Sequence, residues 1–325
     1  PVHSLGASRL RTSALAMARA ISRLHPEAIL STSSGGNMIA SLGRLLSGWS
    51  CRLVLSERTT FSAARRERFP RNIPIAMAKR FLYRQADSII AVSHGVADDL
   101  INSLRLPPGL VTVIYNPVVD DTLSDRAQET LDHPWFTEGP PVILAAGRLI
   151  SQKDYPTLLR AFAELRRRRP ARLIVLGEGP LRSTLEQLAA DLGIAGDVQF
   201  PGFVPNPFPY MRRCTVFVLS SRFEGLPGVL IQAMACGAPV VSTDCPAGPA
   251  EIIEQDTSGL LVPVENPAAL AGAIDRLLDD PALRRTMAAG AKRRAQMFGV
   301  ADTVRKYERV LDGTRASRGG NDGAA

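Results

Sequence analysis

Short runs of β-branched and apolar residues alternate with helical segments along most of this 325-residue chain. Strand–helix alternation of this kind predicts parallel sheets with helices covering both faces, because parallel strands need helical crossovers. The expected fold class is therefore α/β. The predicted strands are "AILST" (28–32), "RLVLS" (52–56), "SIIAV" (88–92), "VTVIY" (111–115), "VILAA" (142–146), "RLIVL" (172–176), "VQF" (198–200), "VFVL" (216–219), "PVVS" (239–242) and "LLV" (260–262).

The alternation is interrupted between Asp120 and Pro141, where the chain is polar, contains prolines and shows no apolar period. We interpret this stretch as a linker, because the chain is long enough for two lobes with separate cores. Both lobes are expected to be doubly wound and Rossmann-like. The predicted organisation is a first lobe over 1–119, a linker over 120–141, a second lobe over 142–298, a C-terminal helix over 299–312 and a disordered tail over 313–325.

The net charge of +8 is concentrated in the first 120 residues, which carry 15 Lys and Arg against 7 Asp and Glu. This asymmetry predicts an anionic partner for the first lobe alone. In the most basic segment, residues 63–84, arginines are interleaved with apolar side chains. The segment could lie on an anionic membrane surface, or it could be a helix with a solvated basic face. Nucleic acid is disfavoured as a partner, because no binding motif accompanies the charge.

The four cysteines show no spacing typical of a metal site, and so few in a chain of this length indicate reduced thiols. No apolar run reaches the roughly 18 residues of a membrane-spanning helix. We therefore expect a cytoplasmic protein, peripheral at the inner face of the membrane if residues 63–84 bind there. No metal and no cofactor are expected.

The loops that follow the strands of the second lobe carry the candidate binding residues, since ligands of open α/β sheets bind beyond the carboxyl ends of the strands. Glycines allow close approach of backbone N–H groups to a phosphate, which helix N-termini and cations also attract. The alternative is that the glycines make tight turns and the cations face solvent. The candidates in these three loops are Gly147, Arg148, Lys153, Gly177, Glu178, Gly179 and Glu224.

The segment "GEGPLR" at 177–182 raises the alternative of a dinucleotide-binding dehydrogenase. Arg182 stands where the third glycine of the fingerprint belongs, and no acidic residue closes the following strand "VQF". Both positions are needed for the cofactor, so this alternative is disfavoured.

The motifs "GRLISQKD", "GEGP", "FPGFVPNP" and "SRFEGLPGVLIQAMACGAPVVSTDCPAGPAEII" resemble the retaining glycosyltransferases of the GT-B fold, family 4, also called group 1. Thinner matches in the first half are "SERT", "ADSIIAVSHGVADDL" and "VIYNPV". The resemblance implies that the second lobe binds a nucleotide-sugar, that the first lobe binds the acceptor, and that transfer occurs in the cleft between them. A UDP-sugar donor and a saccharide or lipid-linked saccharide acceptor are expected, without a metal.

The resemblance also implies roles for individual residues. Arg148 and Lys153 match the pair that holds the donor diphosphate, and Glu224 matches the carboxylate that contacts the donor sugar. Gly225 and Leu226 would offer backbone N–H groups to the phosphate or the sugar. The alternative for Glu224 is that it only stabilises the dipole of the helix that follows.

Two features depart from the family pattern. Gln232 stands where the family has a second glutamate, and its amide can still contact ribose hydroxyls, although without charge. No strand with a glycine-rich loop precedes "AILST", so the first lobe is expected to be incomplete at its N-terminus. A sugar-nucleotide-binding module without transferase activity therefore remains an alternative.

Residues of the first lobe are expected on the acceptor side of the cleft. The candidates are Glu57, Arg58 and His94, which follow predicted strands. For His94, the alternative is a surface histidine without a catalytic role.

Overall fold

The computed structural model describes residues 10–62 and 73–313. The chain divides into two compact units, one formed by Pro1–Tyr115 with Ala301–Ala325 and the other by Asn116–Val300. Each unit has its own parallel sheet, so the predicted fold of two α/β lobes is confirmed.

The first unit contains a four-stranded sheet in the order β1-β2-β3-β4. All its strands are parallel, and the register pairs Glu57 of β2 with Ala91 of β3, so these strands end at one edge. The strands are β1 (Ala28–Thr32), β2 (Arg52–Glu57), β3 (Ser88–Ala91) and β4 (Val111–Val113). The helices that alternate with them are α1 (Leu10–Leu24), α2 (Ser34–Ser47), α3 (Ile73–Tyr83) and α4 (His94–Leu104).

The second unit contains a six-stranded parallel sheet in the order β10-β9-β8-β5-β6-β7. The chain extends the sheet in one direction from β5 to β7 and then crosses back to add β8, β9 and β10 on the other side. The strand order therefore reverses between β5 and β8, and such a reversal opens a crevice between neighbouring loops. The strands are β5 (Val142–Ala146), β6 (Arg172–Leu176), β7 (Val198–Gly202), β8 (Val216–Leu219), β9 (Val240–Thr243) and β10 (Leu260–Val262).

Helices pack on both faces of this second sheet. One face is covered by apolar side chains of α6 and α11, such as Phe162 and Leu270, which are fully buried with Ile143 of β5. Asp280 begins α12 as an N-cap, accepting hydrogen bonds from two backbone N–H groups at 2.9 Å. The helices are α5 (Leu123–Gln128), α6 (Tyr155–Arg166), α7 (Arg182–Asp191), α8 (Phe208–Arg213), α9 (Gly228–Ala235), α10 (Pro249–Ile252), α11 (Pro267–Asp279) and α12 (Pro281–Ala295).

The last helix, α13 (Val300–Asp312), returns the chain to the first unit. Val310 is buried against Val54 and Ile90 of the first sheet, and Tyr307 packs on the same cluster. The Arg52 guanidinium also donates a 2.7 Å hydrogen bond to the carbonyl of Val310.

Each predicted strand run contains a strand, with ends that differ by at most two residues. Residues 120–141, predicted as a linker, lie in the second unit. Leu123 and Ala127 of α5 are buried there, and Asn206 Nδ2 donates a 2.9 Å hydrogen bond to the carbonyl of Arg126.

Three parts of the sequence lie outside the described residues: 1–9, 63–72 and 314–325. They include the first ten residues of the basic segment 63–84 and all of the predicted disordered tail except Gly313. The incomplete first lobe stays a prediction. Between residues 10 and 62, and between 73 and 313, every helix is too short or too polar to cross a membrane.

Candidate functional site at the second sheet

The reversal of strand order in the second sheet brings two loops together, residues 147–154 after β5 and residues 220–227 after β8. Ser220 Oγ donates a hydrogen bond of 2.7 Å to the carbonyl of Lys153. The backbone N–H of Arg222 donates to the carbonyl of Gln152, and Gln152 Nε2 donates to the carbonyl of Phe223, both at 2.9 Å. The two loops are therefore fixed to each other by main-chain and side-chain bonds.

Lys153 and Glu224 form an ion pair across these two loops. Lys153 Nζ lies 2.5 Å from Glu224 Oε1, and the two side chains are 15% and 9% exposed. Ser221 Oγ donates to the same carboxylate oxygen at 2.7 Å, and Gln152 Nε2 lies 3.5 Å from Oε2. Pro227 is the N-cap of α9, without a side-chain capping bond, so the Glu224 carboxylate is held by the neighbouring loop rather than by the helix.

The negative charge of Glu224 affects two buried neighbours. Burial, and secondly this charge, raise the pKa of the Tyr155 hydroxyl above its usual range. The same two causes, in the same order, raise the pKa of the Cys245 thiol to about 12. Both groups are therefore neutral near pH 7, and Lys153 is the cation that compensates the Glu224 charge.

Arg148 lies in the same loop as Lys153 and has an exposed side chain. Within the described part of the chain, its guanidinium pairs with no other residue. Gly147 precedes it at φ 153°, and a Cβ there would lie 3.3 Å from Lys153 Cε. The glycine therefore leaves room for the Lys153 side chain.

Gly177 and Gly179 allow the loop after β6 to lie against the loop after β5. A Cβ at Gly177 would lie 2.0 Å from the carbonyl oxygen of Gly147, and one at Gly179 would lie 2.5 Å from that of Leu149. Close backbone approach explains both glycines without a ligand. The side chain of Glu178, between them, is exposed and forms a 2.5 Å ion pair with Arg182.

Gly225, Leu226 and Gln232 lie behind Glu224 in the chain. Gly225 and Leu226 are buried just before α9, and Gln232 is half-buried in the second turn of that helix. Among the described residues, the N–H groups of Gly225 and Leu226 donate to no protein acceptor. They are available to an oxygen of a ligand.

The three candidates of the first unit follow β2 and β3 at one sheet edge, but their environments differ. Arg58 and His94 are exposed, and the His94 ring lies edge-on to Tyr115 with centroids 6.3 Å apart. Glu57 is buried, and its carboxylate lies 2.8 Å from Lys79 Nζ and accepts a hydrogen bond from the Tyr83 hydroxyl. The structure brings the three residues to one edge without exposing Glu57.

Several residues of these clusters have no signal in the sequence. Gln152 and Ser221 hold the Glu224 carboxylate, and Asn37, Lys79 and Tyr83 surround Glu57. Ser221 is three residues from Glu224, but Gln152 is 72 residues from Glu224 and Asn37 is 20 residues from Glu57, so local spacing could not reveal these distant partners. Over residues 10–62 and 73–313, no three His, Cys, Asp or Glu side chains come together as a metal site.

Comparison with known proteins follows the same division of the chain. The model of "Glycosyl transferases group 1" matches residues 128–294, and that of "Glycosyltransferase Family 4" matches residues 2–122. A curated relative is 32% identical over 281 residues, 85% of this chain and 74% of its own length. It is the N-acetylgalactosamine-N,N'-diacetylbacillosaminyl-diphospho-undecaprenol 4-alpha-N-acetylgalactosaminyltransferase of Campylobacter jejuni subsp. jejuni serotype O:2.

Two solved structures of one protein, Anabaena Alr3699/HepE, share the fold. Its complex with UDP has a TM-score of 0.81 at 21% identity, covering 92% of this chain and 82% of that one. Its complex with UDP-glucose has a TM-score of 0.80 at 21% identity, with the same coverage.

Proposed function

Because this chain belongs to the group 1 glycosyltransferases of family 4, we propose that it is a retaining, metal-independent enzyme with a UDP-sugar donor. The proposed acceptor is a hydroxyl of a saccharide or lipid-linked saccharide. The observation that carries this proposal is the Lys153–Glu224 ion pair at the reversal of strand order, where a cation and a carboxylate meet at 2.5 Å.

Arg148 and Lys153 are the proposed diphosphate ligands. Arg148 is exposed and without a protein partner in the described residues, so it can pair with a phosphate oxygen. An ammonium group has three donors, so Lys153 can keep its bond to Glu224 while it donates to the diphosphate. The leaving UDP gains negative charge in the transition state, and preorganised cations stabilise it there.

Glu224 is the proposed acceptor of hydrogen bonds from the donor sugar. The acceptor hydroxyl would attack the anomeric carbon from the face that UDP leaves. The bond between that carbon and the phosphate oxygen breaks as the new glycosidic bond forms, and the hydroxyl proton passes to the departing phosphate. This course retains the anomeric configuration without a covalent intermediate on the protein.

The loops after β6 and β7 offer a surface for the nucleoside. The ring of Phe203 is 76% exposed directly after Gly202, whose carbonyl accepts a 2.8 Å hydrogen bond from the N–H of Gly177. An exposed aromatic ring at this edge can stack on a planar base. The likeness to a protein solved with UDP-glucose supports uracil as that base.

The relative from Campylobacter supports the proposed acceptor and stereochemistry. Its name describes an α-N-acetylgalactosaminyltransferase whose substrate includes diphospho-undecaprenol. An α-linked product made from an α-linked nucleotide-sugar is the outcome of retention. An acceptor on a lipid carrier would also bring this protein to a membrane surface.

We infer that α3 contributes to such a membrane contact. Met77 and Phe81, one turn apart on this helix, are 70% and 60% exposed, and both lie in the basic segment 63–84. Apolar side chains beside basic ones favour an anionic lipid surface. Met77→Ser/Phe81→Ser should reduce sedimentation with anionic vesicles at low salt, whereas Val304→Ser, another exposed apolar site of the first unit, should not. Equal sedimentation of the wild type, the double variant and Val304→Ser would contradict this inference.

The decisive experiment measures nucleoside diphosphate release from UDP-, GDP- and ADP-sugars, with and without a chelator, and calorimetric binding of the free diphosphates. We expect selective binding of UDP and chelator-resistant release from a UDP-sugar. NMR of the anomeric proton in the transfer product tests retention. Binding without any release or transfer would favour the alternative of a sugar-nucleotide-binding module.

A further inference from the structure

Asp154 has an unusual combination of backbone conformation and burial. It follows the short 3-10 turn Ser151–Lys153 and adopts the left-handed conformation, with φ 45° and ψ 47°. This conformation is unfavourable for residues other than glycine, although aspartate tolerates it better than most. The side chain is also 2% exposed, and a buried carboxylate is costly unless it is paired. Glycine would adopt this left-handed conformation more easily than aspartate, so the Asp154 carboxylate itself must have a role.

The partners of that carboxylate come from both sides of the crevice. Thr157 Oγ1, in the first turn of α6, donates a 2.8 Å hydrogen bond to Asp154 Oδ2. Arg222 Nε, in the loop after β8, lies 3.4 Å from the same oxygen. The Arg222 side chain is 47% exposed and also reaches Glu265, with a distance of 3.0 Å between its terminal nitrogen and Oε1.

The two members of this pair adjoin the two members of the proposed donor site. Asp154 follows Lys153 directly, and Arg222 precedes Glu224 by two residues. A shift of either loop therefore moves Lys153 Nζ relative to the Glu224 carboxylate. Apart from the Lys153–Glu224 pair itself, the neighbouring bonds between the loops are backbone bonds or involve neutral side chains. The Asp154–Arg222 pair adds a charged link at the same junction.

We propose that Asp154 and Arg222 are positioning residues that fix the spacing between the diphosphate-binding Lys153 and the sugar-binding Glu224. This inference rests on the proposed function. In the structure, the guanidinium of Arg222 is directed to Asp154 and Glu265, so it acts on the donor through Lys153 and Glu224. Misplacement of a catalytic group by about 1 Å costs on the order of 100-fold in rate.

The expected signature is a loss of kcat with little loss of UDP affinity. Arg222→Ala should lower kcat about 10- to 100-fold, because the geometry needed in the transition state is lost. Calorimetric UDP affinity should fall by less than about threefold, because Arg148 and Lys153 remain. Asp154→Asn keeps a side chain that tolerates the left-handed conformation and can still accept from Thr157, so it removes only the charge. Asp154→Asn should therefore lower kcat as Arg222→Ala does, with an equally small loss of UDP affinity.

Double variants separate positioning from general stability. In a Lys153→Ala background, Arg222→Ala should lower kcat by less than about threefold, because residues that act through one group are not additive. Arg222→Lys should recover part of kcat, and Glu265→Gln should have little effect, since Glu265 is 58% exposed. Arg276→Ala is the matched control, because Arg276, on α11, is 51% exposed and pairs with Asp256 rather than with a residue of the crevice.

The outcomes distinguish this inference from the function on which it rests. Wild-type protein that binds no nucleoside diphosphate and releases none from any nucleotide-sugar would overturn both. Wild-type activity with unchanged kcat in Arg222→Ala and Asp154→Asn would overturn the positioning role alone. A tenfold or greater loss of UDP affinity in Arg222→Ala would make Arg222 a direct ligand. Full additivity with Lys153→Ala, or an equal loss in Arg276→Ala, would indicate a structural role only.

Discussion

In each unit of this protein, a Lys–Glu ion pair lies near the carboxyl end of a parallel strand. In the first unit Glu57 ends β2 and lies 2.8 Å from Lys79 Nζ, with the two side chains 2% and 3% exposed. In the second unit Glu224 follows β8 and lies 2.5 Å from Lys153 Nζ. The residue types and distances are nearly the same, so the surroundings must decide what each pair does.

The surroundings of the first pair are closed. Lys79 Nζ lies 5.0 Å from the Phe61 ring centroid and 4.8 Å from that of Tyr83, and it donates a 2.7 Å hydrogen bond to Ser34. Burial, and secondly the charge of Glu57, raise the pKa of the Tyr83 hydroxyl. In the described residues the first sheet runs from β1 to β4 without a reversal of strand order.

The second pair lies where the strand order does reverse, between β5 and β8, and its neighbour Arg148 is exposed. Such a reversal opens a crevice, which is where ligands of open α/β sheets bind. The comparison teaches that a Lys–Glu pair after a strand is not by itself a binding site. Under the proposed function, sheet topology decides which of the two pairs lies at the substrate.

The largest expected effect follows from breaking the closed pair. Lys79→Met should lower the free energy of unfolding of the first unit by about 3–5 kcal/mol, because it leaves the Glu57 carboxylate buried without a cation. Chemical unfolding followed by a probe in the first unit measures this. The double variant Glu57→Gln/Lys79→Met should regain part of the loss, since no buried charge remains.

The control for this experiment is Lys153→Met in the second pair. It should lower the free energy of unfolding of the second unit by less than Lys79→Met lowers that of the first unit. If Lys79→Met leaves stability unchanged and instead abolishes sugar transfer, the first pair belongs to the acceptor site and the comparison fails.

The next largest effect concerns rate. Lys153→Ala should lower turnover about 100- to 1000-fold, the cost of removing one preorganised partner of developing charge, roughly 3–4 kcal/mol. UDP affinity should fall more modestly, because charge on the diphosphate grows only in the transition state. Lys153→Arg should restore part of the turnover, since a planar guanidinium group replaces the point charge of the ammonium group. Unchanged rate and affinity in Lys153→Ala would remove Lys153 from the site.

Glu224→Gln separates sugar binding from phosphate binding at the second pair, because it should lower turnover without lowering UDP affinity. Turnover should fall roughly 10- to 150-fold, because the sugar loses a charged hydrogen-bond acceptor with a value of about 1.5–3 kcal/mol. UDP affinity should be unchanged or slightly tighter, because the charge of Lys153 is no longer neutralised by the Glu224 carboxylate. Calorimetry and donor-release rates test both. A loss of UDP affinity as large as the loss of turnover would mean that Glu224 itself supports phosphate binding.

The strands of the second unit, and the loops that follow them, could be predicted from the sequence. Each buried strand is a short continuous apolar run, and the polar loop residues follow at its carboxyl end. The strand order could not be predicted in the same way, because no local pattern states that β5 lies beside β8. The ion pair between Lys153 and Glu224 follows from that order.

The sequence is also silent about side-chain partners that come from distant segments. In the sequence Glu57 follows a predicted strand as Glu224 does, and Lys79, Tyr83 and Asn37, which are buried around Glu57, have no local signal. Asp154 reads as one residue of "QKDYP", and neither its left-handed backbone nor its contact with Arg222 has a signal in the sequence. Tertiary packing decides these features.

The smallest expected effect comes from Gln232→Glu, which adds a second carboxylate to the segment that follows β8. Gln232 is half-buried in α9, so solvent can reach the added charge. UDP affinity should be kept or improved by up to about fivefold, because a charged acceptor binds the ribose hydroxyls better than an amide by about 1 kcal/mol. Unfolding measurements should show little change. In a closed environment such as that of Glu57, the same substitution would bury an unpaired charge at a cost of several kcal/mol. A large loss of stability, or a collapse of UDP binding, would therefore show that the second site is not open in the way its strand order implies.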